Sequence, residues 1–220
     1  MMSAPSQQVL AGQAIYTPLT LRGYDLAVVS LSHRFIWQSP ARLLEERYDR
    51  YITANHLELG AGTGYFLDRC HFPSPAPRIA LMDLNPSTLE FASRRLARYR
   101  PETFRRNVLE PISIDGPGFD SLAINDVLHC LPGSIGSKAV AFDHLKALMN
   151  RGGVLFGSTL LQGGVRRSPL ARILMELYNR LGIFSNREDD LQGLKRELSL
   201  RFREVSVDVI GCSALFSGRV

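Results

Sequence analysis

Three cysteines, Cys70, Cys130 and Cys212, are all that the 220 residues contain, and none stands in a C-x-x-C pair. A disulfide framework and a cysteine-based zinc site are therefore not expected, and the thiols fit a reducing compartment. Also missing is any apolar run near the ~20 residues that a membrane helix needs. Residues 1–8, MMSAPSQQ, have neither the basic start nor the apolar block of a secretory leader. The expectation is a cytoplasmic protein without a membrane partner. No internal repeat, low-complexity block or composition break divides the chain, so one domain over 1–220 is expected, with room for a substantial core.

A large excess of charge of one sign is missing too, the net value being only +5. The arginines that do gather are Arg94, Arg95, Arg98, Arg100, Arg105 and Arg106. They read either as a surface for an anionic partner such as nucleic acid or as a solvated helix face whose last-turn cations suit the helix dipole. Leu89, Ala92, Leu96 and Tyr99 mark the inward face of that helix, and the arginines fall largely elsewhere without interleaved aromatics. The solvated face is the preferred reading, and no nucleic-acid partner is expected.

What is present is a glycine turn. The run His56-Leu57-Glu58-Leu59-Gly60-Ala61-Gly62-Thr63-Gly64-Tyr65-Phe66-Leu67 goes from short apolar strand to three alternate glycines to an amphipathic start. Glycine is needed where φ is positive or where backbone must approach a ligand. Such a turn between strand and helix exposes N–H groups as a polar cradle. A dinucleotide fingerprint would place its third glycine one residue later, where Tyr65 stands, and a P-loop would need a following Lys-Ser/Thr pair. Downstream, Arg78-Ile79-Ala80-Leu81-Met82-Asp83-Leu84-Asn85-Pro86 reads as a second strand ending in an acid. Asn85 and Pro86 suit an N-cap and first turn. Strand, turn, helix, strand and acid form a βαβ unit with its ligand edge at the strands' carboxyl ends.

The E-x-G-x-G-x-G form and the acid at 83 resemble motifs I and II of the class I S-adenosylmethionine-dependent methyltransferases. The run 118–132, with Phe119-Asp120 leading to Val127-Leu128-His129, resembles the family's motif IV, and the G-G-x-L-x-x-S pattern at 152–158 is also family-like. The resemblance covers about residues 56–160. It implies an α/β fold: a Rossmann-like, seven-stranded, mostly parallel sheet with helices on both faces and the last strand antiparallel. It implies S-adenosyl-L-methionine as cofactor and S-adenosyl-L-homocysteine as product. Glu58, Gly60, Ala61, Gly62 and Gly64 would then take the methionine end and ribose. Asp83 and Leu84 would hold the ribose hydroxyls, Asn107 and Val108 the adenine, and Asn125 and Asp126 would stand near the donor. Many family members carry Asp where Asn107 stands.

Helical spacing over 7–15 and 21–37, and a helix from Ser39-Pro40 to Tyr51, precede the core. In this family such a segment, here 1–52, lies over the ligand edge as a cover. Tyr16, Tyr24 and Trp37 are therefore candidates for a substrate wall, and His33 and His129 for a proton acceptor. His129 reads equally as a residue that shapes its loop. After the core at 53–160, helical spacing appears over 138–149. Residues 161–200 read as a helical insertion with Leu170, Ile173, Leu174, Leu177 and Leu181 along one helix. Ser168-Pro169 would open that helix, and Ser185 with Glu188 would cap the next. Tyr178 and Phe184 are further substrate-wall candidates, beside Met175 and Asn179. Expected strands are 102–108, one that opens the 118–132 run, and 154–159, then 202–210 and 212–218 within a closing segment 201–220.

The expected activity is methyl transfer to an O, N or C nucleophile of a small organic molecule, of the kind made in secondary metabolism. The alternatives are a non-methylating S-adenosylmethionine-binding protein on the same fold, or a protein or nucleic-acid methyltransferase. Nucleic acid is disfavoured because no N/D-P-P-Y/F/W motif is present. No acidic triad points to a metal. A homodimer is compatible with the sequence.

Overall fold

The computed structural model describes residue 33 and residues 35–220. Tyr16, Tyr24 and the helix expected over 7–15 lie outside the described residues, as does most of the 21–37 segment. The described chain runs α1 (Ala41–Tyr51), β1 (Asn55–Leu59), α2 (Tyr65–Arg69), β2 (Arg78–Asp83), α3 (Pro86–Arg95), β3 (Glu102–Arg105) and β4 (Phe119–Asn125). Then follow α4 (Ile135–Lys138), α5 (Val140–Lys146), β5 (Met149–Leu160), α6 (Pro169–Arg180), α7 (Leu191–Ser199), β6 (Arg203–Ile210) and β7 (Ser213–Arg219).

All seven strands join one sheet in the order β3-β2-β1-β4-β5-β7-β6. The first five are parallel, and β7 runs antiparallel to both its neighbours. This is the Rossmann-like sheet implied by the motifs. Strand order reverses between β1 and β4, and that switch point is where such sheets hold their ligands.

Parallel strands are buried on both faces, and this sheet shows why. Leu57, Leu59, Met82, Leu122 and Ile124 face α5 and α7, packing on Phe142, Leu145, Leu194 and Leu198. Ile79, Leu81, Ala123 and Phe156 face α1 and α3, packing on Tyr48, Leu89 and Ala92. Each such fully buried Leu or Phe stabilises the fold by roughly 1.5–3 kcal/mol. At the far edge β6 alternates between exposed and half-buried, with Asp208 paired to Arg47 of α1 at 3.1 Å. Charge on an exposed edge discourages pairing with another sheet. Val220 sits at the rim away from the glycine turn, exchanging backbone hydrogen bonds with Gly152 and Gly153.

Several boundaries differ from expectation. Strand β3 ends at Arg105 because Asn107 turns the chain, accepting the Leu109 N–H at 3.1 Å. The helix expected over 138–149 is two short pieces, α4 and α5, and β5 starts at Met149, which pairs with Phe119 ahead of a bulge. Asp190, not Ser185 and Glu188, caps α7, accepting the Gly193 N–H at 2.8 Å. The 185–189 loop is held instead by fully buried Lys138, which donates to the Ser185 carbonyl at 2.7 Å and to Asp189 at 2.5 Å. Ser168 caps α6 as expected, but that helix buries Ala171 and Met175 and leaves Leu170, Ile173, Leu177 and Leu181 exposed among the described residues. The small Ala171 face lets the helix approach Trp37, Leu160 and Phe184 closely.

Candidate active site

Gly60, Gly62 and Gly64 all adopt positive φ, at 75°, 52° and 73°. That backbone is why three alternate glycines are needed. At Gly60 space is limiting as well, since a Cβ would lie 2.3 Å from Val127 Cγ2. The turn rests on β2, where the Gly60 N–H donates to the Met82 carbonyl at 2.9 Å.

Asp83 closes β2 directly beside this turn. Its carboxylate accepts the backbone N–H of Asn85 at 2.8 Å, and the N–H groups of Leu84 and Ala61 lie beside it. Burial pushes its pKa up to about 6 in spite of those three donors, each of which favours the charged form. Asn85 in turn caps α3, accepting the Ser87 N–H at 2.9 Å. Leu84 is buried with its carbonyl taken by Arg105 Nε at 3.0 Å. Val108 is buried in the core. Asn107 uses one amide hydrogen on Glu110 and one lone pair on Leu109 N–H, leaving one of each for another partner.

The inner end of the turn opens into a cavity shared by Gly60, Ala61, Gly62 and Gly64 with His33, Tyr48, Glu58, Asn125 and Asp126. Seven of the expected cofactor residues, Glu58, Gly60, Ala61, Gly62, Gly64, Asn125 and Asp126, thus meet at one place. Asp126 sits at φ 55°, a strained conformation that Asp tolerates better than most residues. Its N–H donates to the Ser158 carbonyl at 3.0 Å, and its Oδ1 accepts the Ser158 hydroxyl at 2.9 Å. Its Oδ2 lies 3.1 Å from His33 Nε2. Burial raises the Asp126 pKa, but the His33 charge, its hydrogen bond and the Ser158 hydroxyl outweigh it, holding the acid at about 2.

The two imidazoles proposed as proton acceptors are both engaged. His33 Nδ1 faces the Ser39 carbonyl at 3.2 Å while Nε2 faces Asp126. Both partners are acceptors, so the ring carries two protons and no free lone pair. Burial would lower its pKa, and Asp126 raises it above the ordinary value. His129 lies outside the cavity, buried, with Nδ1 accepting the Leu160 N–H at 3.3 Å and Phe184 edge-on at 4.5 Å between ring centroids. Burial lowers its pKa to about 4, which keeps it neutral. Its carbonyl accepts the Ser185 N–H at 2.8 Å, so His129 fixes the insertion to the β4 exit.

Trp37, Tyr178 and Phe184 are brought together, but against each other. Phe184 stands 6.1 Å from Trp37 and 5.0 Å from Tyr178 between ring centroids, over Met175 and Ala171. Trp37 and Phe184 are buried in this cluster, and Tyr178 is half exposed at its rim. Tyr48, His56 and Ser158 were not singled out from sequence. The only available signal was periodicity: His56 lies two residues before Glu58, hence on the same face of β1.

Among the described residues no three His, Cys, Asp or Glu side chains stand together as a metal site. No described helix is long and apolar enough to cross a membrane. The arginines of α3 and its exit are largely engaged, Arg94 with Glu90, Arg98 with Asp68 and Arg105 with the Leu84 carbonyl.

A glycine turn beside an acid on the neighbouring strand, with two carboxylates at its inner end, has the chemistry that an adenosine-bearing cation would need. The residues present fit S-adenosylmethionine: a backbone cradle, an acid for ribose hydroxyls, and negative charge toward the cationic end. The sequence profile of a methyltransferase domain matches residues 57–155. Demethylluteothin O-methyltransferase of Streptomyces thioluteus is 40% identical over 210 residues, covering 96% of this chain and 91% of that one. The physcion biosynthesis cluster O-methyltransferase of Aspergillus chevalieri is 35% identical over 207 residues, covering 93% of each. Among solved structures, a DhpI complex with S-adenosylhomocysteine superposes with a TM-score of 0.68 at 16% identity, over 98% of both chains. The chain belongs to the class I S-adenosylmethionine-dependent methyltransferases.

Proposed function

We propose that this enzyme methylates a hydroxyl oxygen of a small organic molecule made in secondary metabolism. The observation that carries the reading is the length of the likeness to the Streptomyces enzyme. It spans 96% of this chain, and so reaches well beyond the generic cofactor core. That enzyme and the Aspergillus relative are both named as O-methyltransferases.

Bound at the turn, S-adenosylmethionine supplies a methyl group already activated on sulfur. Ala61 to Gly64 offer it backbone, Asp83 accepts from its ribose hydroxyls, and Glu58, Asn125 and Asp126 shape the inner end. His33, pinned between Ser39 and Asp126, closes that end. With neither imidazole holding a free lone pair, the residues act chiefly by alignment, an effect that supplies roughly 7–11 kcal/mol in well-oriented reactions. An acceptor whose hydroxyl is acidic enough to lose its proton to water suits such a site. The three cysteines are free thiols, which supports work in the cytoplasm.

The test is incubation of the purified chain with methyl-labelled cofactor and a panel of phenols, enols, carboxylic acids and amines. Label on an acidic hydroxyl is the expected product. Label confined to amines, or to protein or RNA in a parallel arm, overturns the reading.

A further inference from the structure

Strand β1 places two polar side chains, His56 and Glu58, in the apolar layer formed by α1, Leu81 and Phe156. They are 0% and 4% exposed. Taking a carboxylate and an imidazole out of water is costly, and well-packed apolar residues of like volume serve stability as well or better. Stability therefore does not account for the pair.

Its hydrogen bonds do suggest an account. The Tyr48 hydroxyl donates to Glu58 Oε1 at 2.7 Å and accepts from Asn125 Nδ2 at 3.0 Å. His56 Nε2 lies 3.2 Å from Glu58 Oε2, and Nδ1 lies 2.8 Å from Ser121 Oγ. Ser121 meets Thr53 Oγ1 at 2.9 Å, and Thr53 reaches the Asn55 carbonyl at 3.0 Å. The two hydroxyls can orient either way along this row. His56 Nε2 faces one carboxyl oxygen of Glu58 and the Tyr48 hydroxyl faces the other, so each oxygen has its own partner. Ring packing fixes the donors in turn: Tyr48 stacks on Phe66 at 5.3 Å and meets Phe156 edge-on at 5.2 Å between centroids.

Glu58 lines the cavity at the inner end of the glycine turn. The amino-acid end of the cofactor is a zwitterion. Backbone N–H groups of a turn suit its carboxylate, and a fixed negative charge suits its ammonium. Resting on the cofactor assignment above, we propose that Tyr48 and His56 are positioning residues that hold the Glu58 carboxyl oriented as the receptor for the cofactor's cationic amino group.

The test is calorimetric binding of two ligands, S-adenosylhomocysteine and its analogue lacking only the amino group. Wild type, Tyr48→Phe and His56→Gln are compared, each also in a Glu58→Gln background. Losing one hydrogen bond to a charged group corresponds to about tenfold or more in affinity. Each single variant is expected to bind S-adenosylhomocysteine about tenfold more weakly, to bind the analogue as wild type does, and to lose nothing further once Glu58 is Gln. Equal loss for both ligands, no loss, or loss that persists in the Glu58→Gln background overturns the proposal. Tyr48→Phe keeps the ring stack and carries the test alone if strand β1 does not tolerate the change at 56. Wild type failing to bind S-adenosylhomocysteine overturns the cofactor assignment and this proposal with it. Normal wild-type binding without the variant pattern overturns this proposal alone.

Discussion

The Gly60 N–H donates to the Met82 carbonyl at 2.9 Å, so the turn closing β1 and the strand that ends in Asp83 are one hydrogen bond apart. That bond is built from two segments of chain separated by the whole of α2. It presets the cradle before any ligand arrives.

Asp83→Ala should remove the ribose acceptor while sparing the core, since Asp83 sits at the end of β2 and belongs to no apolar cluster. Hydrogen bonds to a charged group contribute about 1.5–3 kcal/mol each. Calorimetry should therefore find S-adenosylhomocysteine affinity down by at least about tenfold, with circular dichroism unchanged. Unaltered affinity would remove Asp83 from the site.

The same residue makes binding depend on pH. Its pKa is raised to about 6 in the free enzyme, so the ionised form that accepts two hydroxyls is depleted below that value. One pH unit below it, affinity should fall about tenfold relative to neutral pH, because only the charged tenth of the molecules is competent. Asp83→Asn should bind weakly at every pH, with no such slope.

His33 and Asp126 give a stability signature of definite sign. A raised histidine pKa stabilises the fold fully below the unfolded value of 6.5, and the gain fades as pH rises through the folded value. A lowered acid pKa stabilises above 3.8, and that gain is lost as pH falls toward about 2. Melting curves should show the gap between wild type and His33→Asn widest near pH 5 and narrower in mildly alkaline buffer. A gap that is flat with pH would mean the pair is not ionic.

His129→Ala should act on stability before rate. It strips the acceptor from the buried Leu160 N–H and opens a gap under Phe184, together worth roughly 2–4 kcal/mol. Denaturant titration reads the loss, while single-turnover methyl transfer at low temperature should stay within a few-fold of wild type. A rate collapse in a stably folded variant would restore His129 as a proton acceptor.

Chelation should leave turnover unchanged, since the site residues described are a backbone turn and hydrogen-bonded carboxylates. Loss of activity in EDTA, restored by a divalent cation, would require a metal role.

The cofactor edge was readable because its constraints are local. Three alternate glycines state the backbone conformation outright, and an acid at the end of the next apolar run falls beside them once the strands pair in parallel. Asn85 and Ser168 were legible as caps for the same reason. The imidazoles were not, because a histidine's role depends on what faces each nitrogen. Only the fold reveals that Ser39, Asp126 and Leu160 occupy those places. The leucine spacing of α6 marked a helix but not its inner face, which Ala171 and Met175 supply because the neighbouring cluster is crowded. The cap of α7 passed to Asp190 because Lys138, distant in sequence, draws the 185–189 loop away.

Because β7 runs against its neighbours, residue 220 is carried to the rim away from the glycine turn, where it is stitched to Gly152 and Gly153. A fluorophore, affinity handle or solid support attached there would leave the ligand mouth unobstructed. Surface-immobilised screening of acceptor libraries is thus compatible with the way this sheet is wound.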